Sequence, residues 1–199
     1  NGIRNGGFLH SAHWGADWNA STVLEAEQWV HAAWVYDGAT DTATMYLNGE
    51  IDGGPQAQRA PNGGGTFLFG GRNNGEAPYN GYVDDVTIWR EALPQGNIMA
   101  LAEGASPIGV GGPGASYSQN FDGFDDGTTD LEDGSVMTGA AASVQDGRLQ
   151  LTIDQQGLGF SSFSVPALPG SSQGFTASFD YELYDSLGAN DPADGFSFN

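Results

Sequence analysis

The strongest pattern in the chain is a pair of apolar runs, Trp29–Tyr36 and Thr42–Leu47, joined by Asp37-Gly38-Ala39-Thr40-Asp41. Trp, Val, Tyr, Thr and Met flanked by Gly and Asp are strand formers. In the second run Thr42, Thr44, Tyr46 and Asn48 alternate with Ala43, Met45 and Leu47. A period of two sends one set to a core and the other towards solvent. The five-residue connection suits an antiparallel hairpin, and Asn48-Gly49 punctuates its exit. A second alternating stretch sets Phe175, Ala177, Phe179, Tyr181 and Leu183 against Thr176, Ser178, Asp180 and Glu182, which predicts a half-buried strand. Val83, Val86, Ile88 and Trp89 predict another. Phe67–Gly71, 147–153 and 159–168 read as further short strands.

Helix signals are confined to one place. Pro94 opens the stretch 94–102, Ile98 and Leu101 follow at i, i+3, and Gly104 closes it. Residues 1–24 predict a short strand followed by a loop. Residues 53–66 predict a loop rich in Gly and Pro. Residues 105–116 read as a Gly/Pro linker.

Two blocks carry a resemblance to a known family. The first is W-x-H-x-A-x-x-Y-D-G from Trp29, followed by Tyr46-Leu47-Asn48-Gly49-Glu50. The second is Phe67–Arg72, then Tyr79–Trp89, then Arg90-Glu91-Ala92-Leu93-Pro94. Together they resemble the closing half of laminin-G-like domains of the concanavalin A-like lectin/glucanase superfamily. The resemblance implies an all-β jelly-roll sandwich of two antiparallel sheets. Residues 117–199 are similar to the opening of an L-type lectin-like domain of the same superfamily, through Ala193-Asp194-Gly195-Phe196 near the end.

The order is inverted: the closing pattern (1–104) precedes the opening pattern (117–199). Two origins fit. The chain spans the back of one tandem domain and the front of the next, or its halves fold as one circularly permuted sandwich. Either way half a sandwich leaves an apolar face and open edges. The expectation is therefore a single composite sandwich, formed within the chain or by strand exchange in a swapped dimer.

Composition narrows the partners. The chain of 199 residues holds 25 Asp and Glu against five Arg and no Lys, a formal charge of −20. That repels nucleic acid and anionic membrane surfaces. It suits cations and neutral sugars. There is no Cys, so neither disulfides nor thiol chemistry operate. No apolar run reaches the length of a membrane span. The chain starts at Asn1 without a visible signal peptide, which reads as a processed or excised piece of a secreted or cell-surface protein.

Candidate chemistry is sparse. By the lectin resemblance, Asp194 beside Gly195 accepts sugar hydroxyls, a role suited to a carboxylate. Trp14 and Trp18 either form a sugar-stacking platform or cap the core. Arg72-Asn73-Asn74 is a polar turn able to line a binding edge. Asp122, Asp125 and Asp126 lie in a Gly-punctuated loop that resembles a calcium site. Asp84 and Asp85 sit inside a strand, where they help hold a cation or act as edge-strand charges that prevent aggregation. His10 and His13 would share a metal only on a helix, which their surroundings do not suggest. Sandwich glycosidases of the superfamily carry E-x-D-x-x-E; the chain has no such motif and no Gly-x-Ser-x-Gly. The expectation is a non-catalytic carbohydrate-binding or adhesion module, with Ca2+ as a candidate cofactor and a glycan or extracellular protein as partner. A structural spacer and a fragment of a polysaccharide-degrading enzyme are the alternatives.

Overall fold

A computed structural model describes residues 2–4, 7–12, 16–60, 67–70, 81–112, 116–151, 161–168 and 173–183. The strands in chain order are β1 (Gly2–Arg4), β2 (Phe8–Ser11), β3 (Trp18–Val23), β4 (Trp29–Asp37), β5 (Thr42–Leu47), β6 (Glu50–Ala57), β7 (Leu68–Gly70) and β8 (Gly81–Trp89). The helix α1 (Gln95–Ala102) follows. Then come β9 (Tyr117–Gln119), β10 (Val136–Thr138), β11 (Ser143–Gln145), β12 (Arg148–Gln150), β13 (Ser162–Ser164) and β14 (Gly174–Leu183).

The hairpin predicted from alternation is β4–β5, with Tyr36 facing Ala43 and Ala32 facing Leu47. Asn48 and Gly49 both take positive φ, 49° and 84°, the tight turn that carries β5 into β6. The largest sheet has eight strands in the order β11-β12-β8-β14-β4-β5-β6, with β9 pairing the far part of β8. Smaller sheets run β10-β13-β7 and β1-β2-β3. All pairings are antiparallel. The chain therefore has the concanavalin A-like all-β sandwich architecture.

Strand β14 is the centre of this sheet. It pairs along its length with β4 on one side, Gly174 opposite Asp37 through Glu182 opposite Trp29. On the other side it pairs with β8, from Thr176 opposite Trp89 to Leu183 opposite Gly81. A strand from the second segment thus lies between two strands of the first. That position explains why β14 is buried on both faces for most of its length, rather than on one face as its alternation predicts.

The core lies between the sheets. Ala32, Trp34 and Tyr36 of β4, Phe175, Phe179 and Tyr181 of β14 and Val83, Val86 and Ile88 of β8 meet Phe69 of β7 and Phe163 of β13. Phe179 stacks on Trp34 at 5.5 Å and meets Phe69 edge-on at 5.1 Å. Such pairs add to the area they bury. A second, smaller cluster sits on the outer face of the large sheet. There Ala33, Val35, Tyr46 and Trp89 are covered by Leu93, Ile98 of α1 and Val110. Trp89 Nε1 donates to Val110 O at 3.0 Å. Thr176 donates to Glu91 O and accepts from Leu93 N–H, pinning this covering loop to β14.

Three expectations change. Residues 1–24 hold three strands rather than one, the β1-β2-β3 meander. Residues 53–57 belong to β6 instead of a loop. Trp18 explains Gly53, where a Cβ would stand 2.8 Å from Trp18 Cζ3, while Gly54 takes φ 93° and a Cβ there would stand 2.5 Å from Ala43 O. Pro55 is tolerated because β6 ends the sheet. Finally, β8 is not an edge strand, so Asp84 and Asp85 do not guard an edge. They form a bulge. The ladder with β14 shifts register between Ser178 and Asp180, and Asp85 takes φ 49°. This extra residue is why the inward set jumps from Val83 to Val86. Among the described residues no helix is long and apolar enough to cross a membrane.

Candidate functional site

Because Ala32, Trp34 and Tyr36 face the core, period two turns Trp29, His31, Ala33 and Val35 to the opposite face of the sheet. On β14 the same rule turns Thr176, Ser178, Asp180 and Glu182 outward. The register aligns these residues into rows. Trp29, Glu182 and Tyr82 form one row, and His31, Asp180 and Asp84 the next. Ala33, Ser178 and Thr87 form the third. Successive rows on one face lie roughly 7 Å apart.

The first row sets two aromatic rings on either side of Glu182, and a cation reaches over both rings. The Arg148 guanidinium lies 5.5 Å from the ring centre of Trp29 and 5.5 Å from that of Tyr82. Trp29 is 40% exposed, and Gln150 Nε2 reaches Tyr82 Oη at 3.3 Å. Arg148 sits on β12, next to Leu149, which faces Val83. The strip is therefore assembled from both segments of the chain.

The next two rows open into a cleft of about 290 Å³. One wall is the polar sheet face, with His31, Asp85, Thr87, Ser178 and Asp180. The other is the end of α1 and the turn after it, Leu101, Ala102 and Gly104–Pro107. Gly104, at φ 87°, donates to Leu101 O, and Ala105 donates to Ala100 O, which closes the helix. His31 Nε2 is 2.7 Å from Ser178 Oγ, while His31 Nδ1 is buried with no hydrogen-bond partner among the described residues. Burial lowers the His31 pKa to about 4, so the ring is neutral.

The carboxylates here are crowded. Asp84 is pushed up to about 7, chiefly by burial; the Asp85 N–H, at 2.8 Å, opposes this, and Asp85, Asp122 and Asp180 add repulsion. Asp180 is pushed up to about 6 by burial and by Asp85.

Of the residues singled out from sequence, Asp194, Gly195, Trp14, Arg72, Asn73 and Asn74 lie outside the described residues, as does His13. Trp18 is half-buried, packs on the core and lies against Gly53 and Gly54. His10 is in strand β2, with Nδ1 2.6 Å from Asn19 Oδ1. Asp125 and Asp126 are exposed, and Asp126 is occupied by the Asp146 N–H at 2.8 Å. Asp122 takes a bond from Asn120 Nδ2 and stands near Asp84 and Asp85. Calcium demands six to eight oxygens. Among the described residues no three His, Asp or Glu side chains gather to hold a metal ion.

Trp29, His31, Tyr82, Arg148, Ser178 and Asp180 were not singled out in advance. The signal was the complement of the core pattern: the polar half of each alternating strand.

The family assignment rests on the first segment. Residues 3–99 match the family described as the concanavalin A-like lectin/glucanases superfamily. That segment belongs to this superfamily. No curated protein sequence matches the chain. Within this concanavalin A-like sandwich the matched segment supplies β2–β8 and the start of α1, while Arg148, Ser178 and Asp180 come from beyond it.

Proposed function

We propose that the chain is a non-catalytic carbohydrate-binding or adhesion module of a secreted or cell-surface protein, and that it binds glycan along the outer face of the large sheet. The observation that carries this reading is the continuity of the Trp29–Arg148–Tyr82 strip with the row His31–Asp180–Asp84. An exposed indole face packs on the C–H side of a pyranose, while carboxylate, amide and hydroxyl groups beside it take the ring hydroxyls. A net charge of −20 favours neutral or cationic glycans over acidic ones.

The test is a glycan array with the intact chain and with Trp29→Ala, run with calcium and with EDTA. Binding that Trp29→Ala removes supports the reading. Binding that survives Trp29→Ala, or binding to no glycan at all, overturns it and leaves adhesion through protein contacts.

One observation favours a second reading, hydrolysis. Asp84 and Asp180 face each other across β8 and β14 beside this strip, and paired carboxyls are the apparatus of glycoside cleavage. Release of reducing ends from a bound oligosaccharide, lost in both Asp84→Asn and Asp180→Asn, would establish it.

A further inference from the structure

We propose that Arg148 is the specificity-determining residue of the glycan face. It joins Trp29 and Tyr82 into one platform and donates to ligand hydroxyls between them, so that the face takes a linear, uncharged oligosaccharide in preference to a single sugar. The proposal rests on the glycan-binding reading and adds the residue that sets ligand length.

Strand spacing holds the two rings apart. Trp29 is on β4 and Tyr82 on β8, with Glu182 of β14 between them in the same row. Two strand spacings separate such positions by roughly 9–10 Å, more than one sugar ring covers. Arg148 closes the interval from β12, on the far side of β8. Its guanidinium stands 5.5 Å from the centre of each ring, within cation–π range of both. Ring, guanidinium and ring are therefore three planar groups in succession.

Three observations make Arg148 a recognition residue and not merely a surface charge. The first is where its charge goes. Its neighbour Leu149 faces Val83, so Arg148 is level with Asp84. Its side chain nevertheless leans one row away to the rings, and Asp84 accepts from the Asp85 N–H instead. Among the described residues no carboxylate lies within ion-pair distance of Arg148, in a chain of net charge −20. A guanidinium packed on rings keeps its N–H donors at its edge. With no carboxylate occupying them, they are open to sugar hydroxyls.

The second observation is that Trp29 stays 40% exposed beneath this contact, which leaves indole surface for a sugar to pack on. The third is that Arg148 orients that indole. Among the described residues no ring packs against Trp29, whereas Tyr82 is also tied through its hydroxyl to Gln150. A platform held in place before binding spares the ligand the cost of ordering it.

The experiment is calorimetric titration of the intact chain, of Arg148→Lys and of Arg148→Ala with neutral β-1,4-linked glucose oligomers, from the monosaccharide to the hexasaccharide. Wild-type affinity is expected to rise at least about tenfold once the oligomer touches both rings. Both variants should bind the hexasaccharide about tenfold more weakly than the wild type. Arg148→Lys is the sharper probe, because it keeps the charge and loses the planar fork; its urea midpoint should match the wild type. An Arg148→Ala protein that binds as well as the wild type, or more tightly because the rings are uncovered, overturns the proposal and leaves the glycan reading standing. A wild-type affinity independent of oligomer length does the same. Weaker binding in Arg148→Lys that comes only with a lowered urea midpoint assigns the residue to the fold and also overturns the proposal. Binding to other glycans on an array but to none of these oligomers overturns it alone. Binding to no glycan overturns the underlying reading as well.

Discussion

Asp180 stands directly opposite Asp84 across the pairing of β14 with β8. Two half-buried carboxylates facing each other make folding sensitive to pH. Both have folded pKa values above the ordinary carboxylate value, about 7 for Asp84 and about 6 for Asp180. The folded state therefore holds their protons more tightly than the unfolded chain. Their contribution is full at low pH and is lost as pH rises through about 6 and then 7. His31 acts in the opposite sense. Its pKa is lowered to about 4, so its contribution is present above 6.5 and lost as pH falls towards 4. The two trends oppose each other below 6.5, and above it only the carboxylates remain. Tm should fall between pH 6.5 and 8, and Asp84→Asn should flatten that slope. A wild-type Tm that is level over this window would count against the crowding of Asp84, Asp85, Asp122 and Asp180.

Trp29 should separate binding from stability. It is the exposed member of the Trp29–Arg148–Tyr82 strip. Trp29→Ala should weaken glycan affinity by about tenfold or more, as loss of an interfacial aromatic does. Its cost in folding should stay near the cation–π contribution, about 0.5–1 kcal/mol. Chemical denaturation alongside a binding isotherm reads both.

Phe179 should do the reverse. It is fully buried between Trp34 and Phe69 in the middle of β14. Phe179→Ala should cost about 3–5 kcal/mol, measured by urea unfolding. Because β14 bridges β4 and β8, a protease site inserted between Gly112 and Ser116 should leave the cleaved halves associated on a sizing column. Separation of the halves without denaturant would contradict the pairing.

The same outlook applies to Gly53. A Cβ there would meet Trp18 Cζ3 at 2.8 Å and Ala20 Cα at 3.1 Å. Gly53→Ala should destabilise by about 1–3 kcal/mol, the usual cost of overpacking. A paired Trp18→Leu substitution should recover part of that loss.

Much of this architecture was legible in the chain. The β4–β5 hairpin, β8, α1 and β14 all follow from local alternation, turn residues and a Pro–Gly frame. What could not be read was which strands are neighbours. Nothing local in Phe175–Leu183 says that its partners are Val30–Tyr36 and Tyr82–Trp89, because pairing is set by the whole sheet. The site was hidden for the same reason. Trp29, Asp180, Asp84 and Arg148 are scattered along the sequence and meet only through strand register. The jump from Val83 to Val86 was visible, and it marks the bulge that brings Asp85 to the cleft.

The strand at the middle of the sheet is also made well after both of the strands it pairs with. At roughly 5–20 residues per second, several seconds separate the synthesis of β8 from that of β14 (Gly174–Leu183). Through that interval the facing edges of β4 and β8 have been made and their shared neighbour has not. Vectorial folding from the amino end cannot finish this sheet. The nascent chain must wait with a one-strand gap in its centre, and the closing event is a late insertion that joins both sides at once.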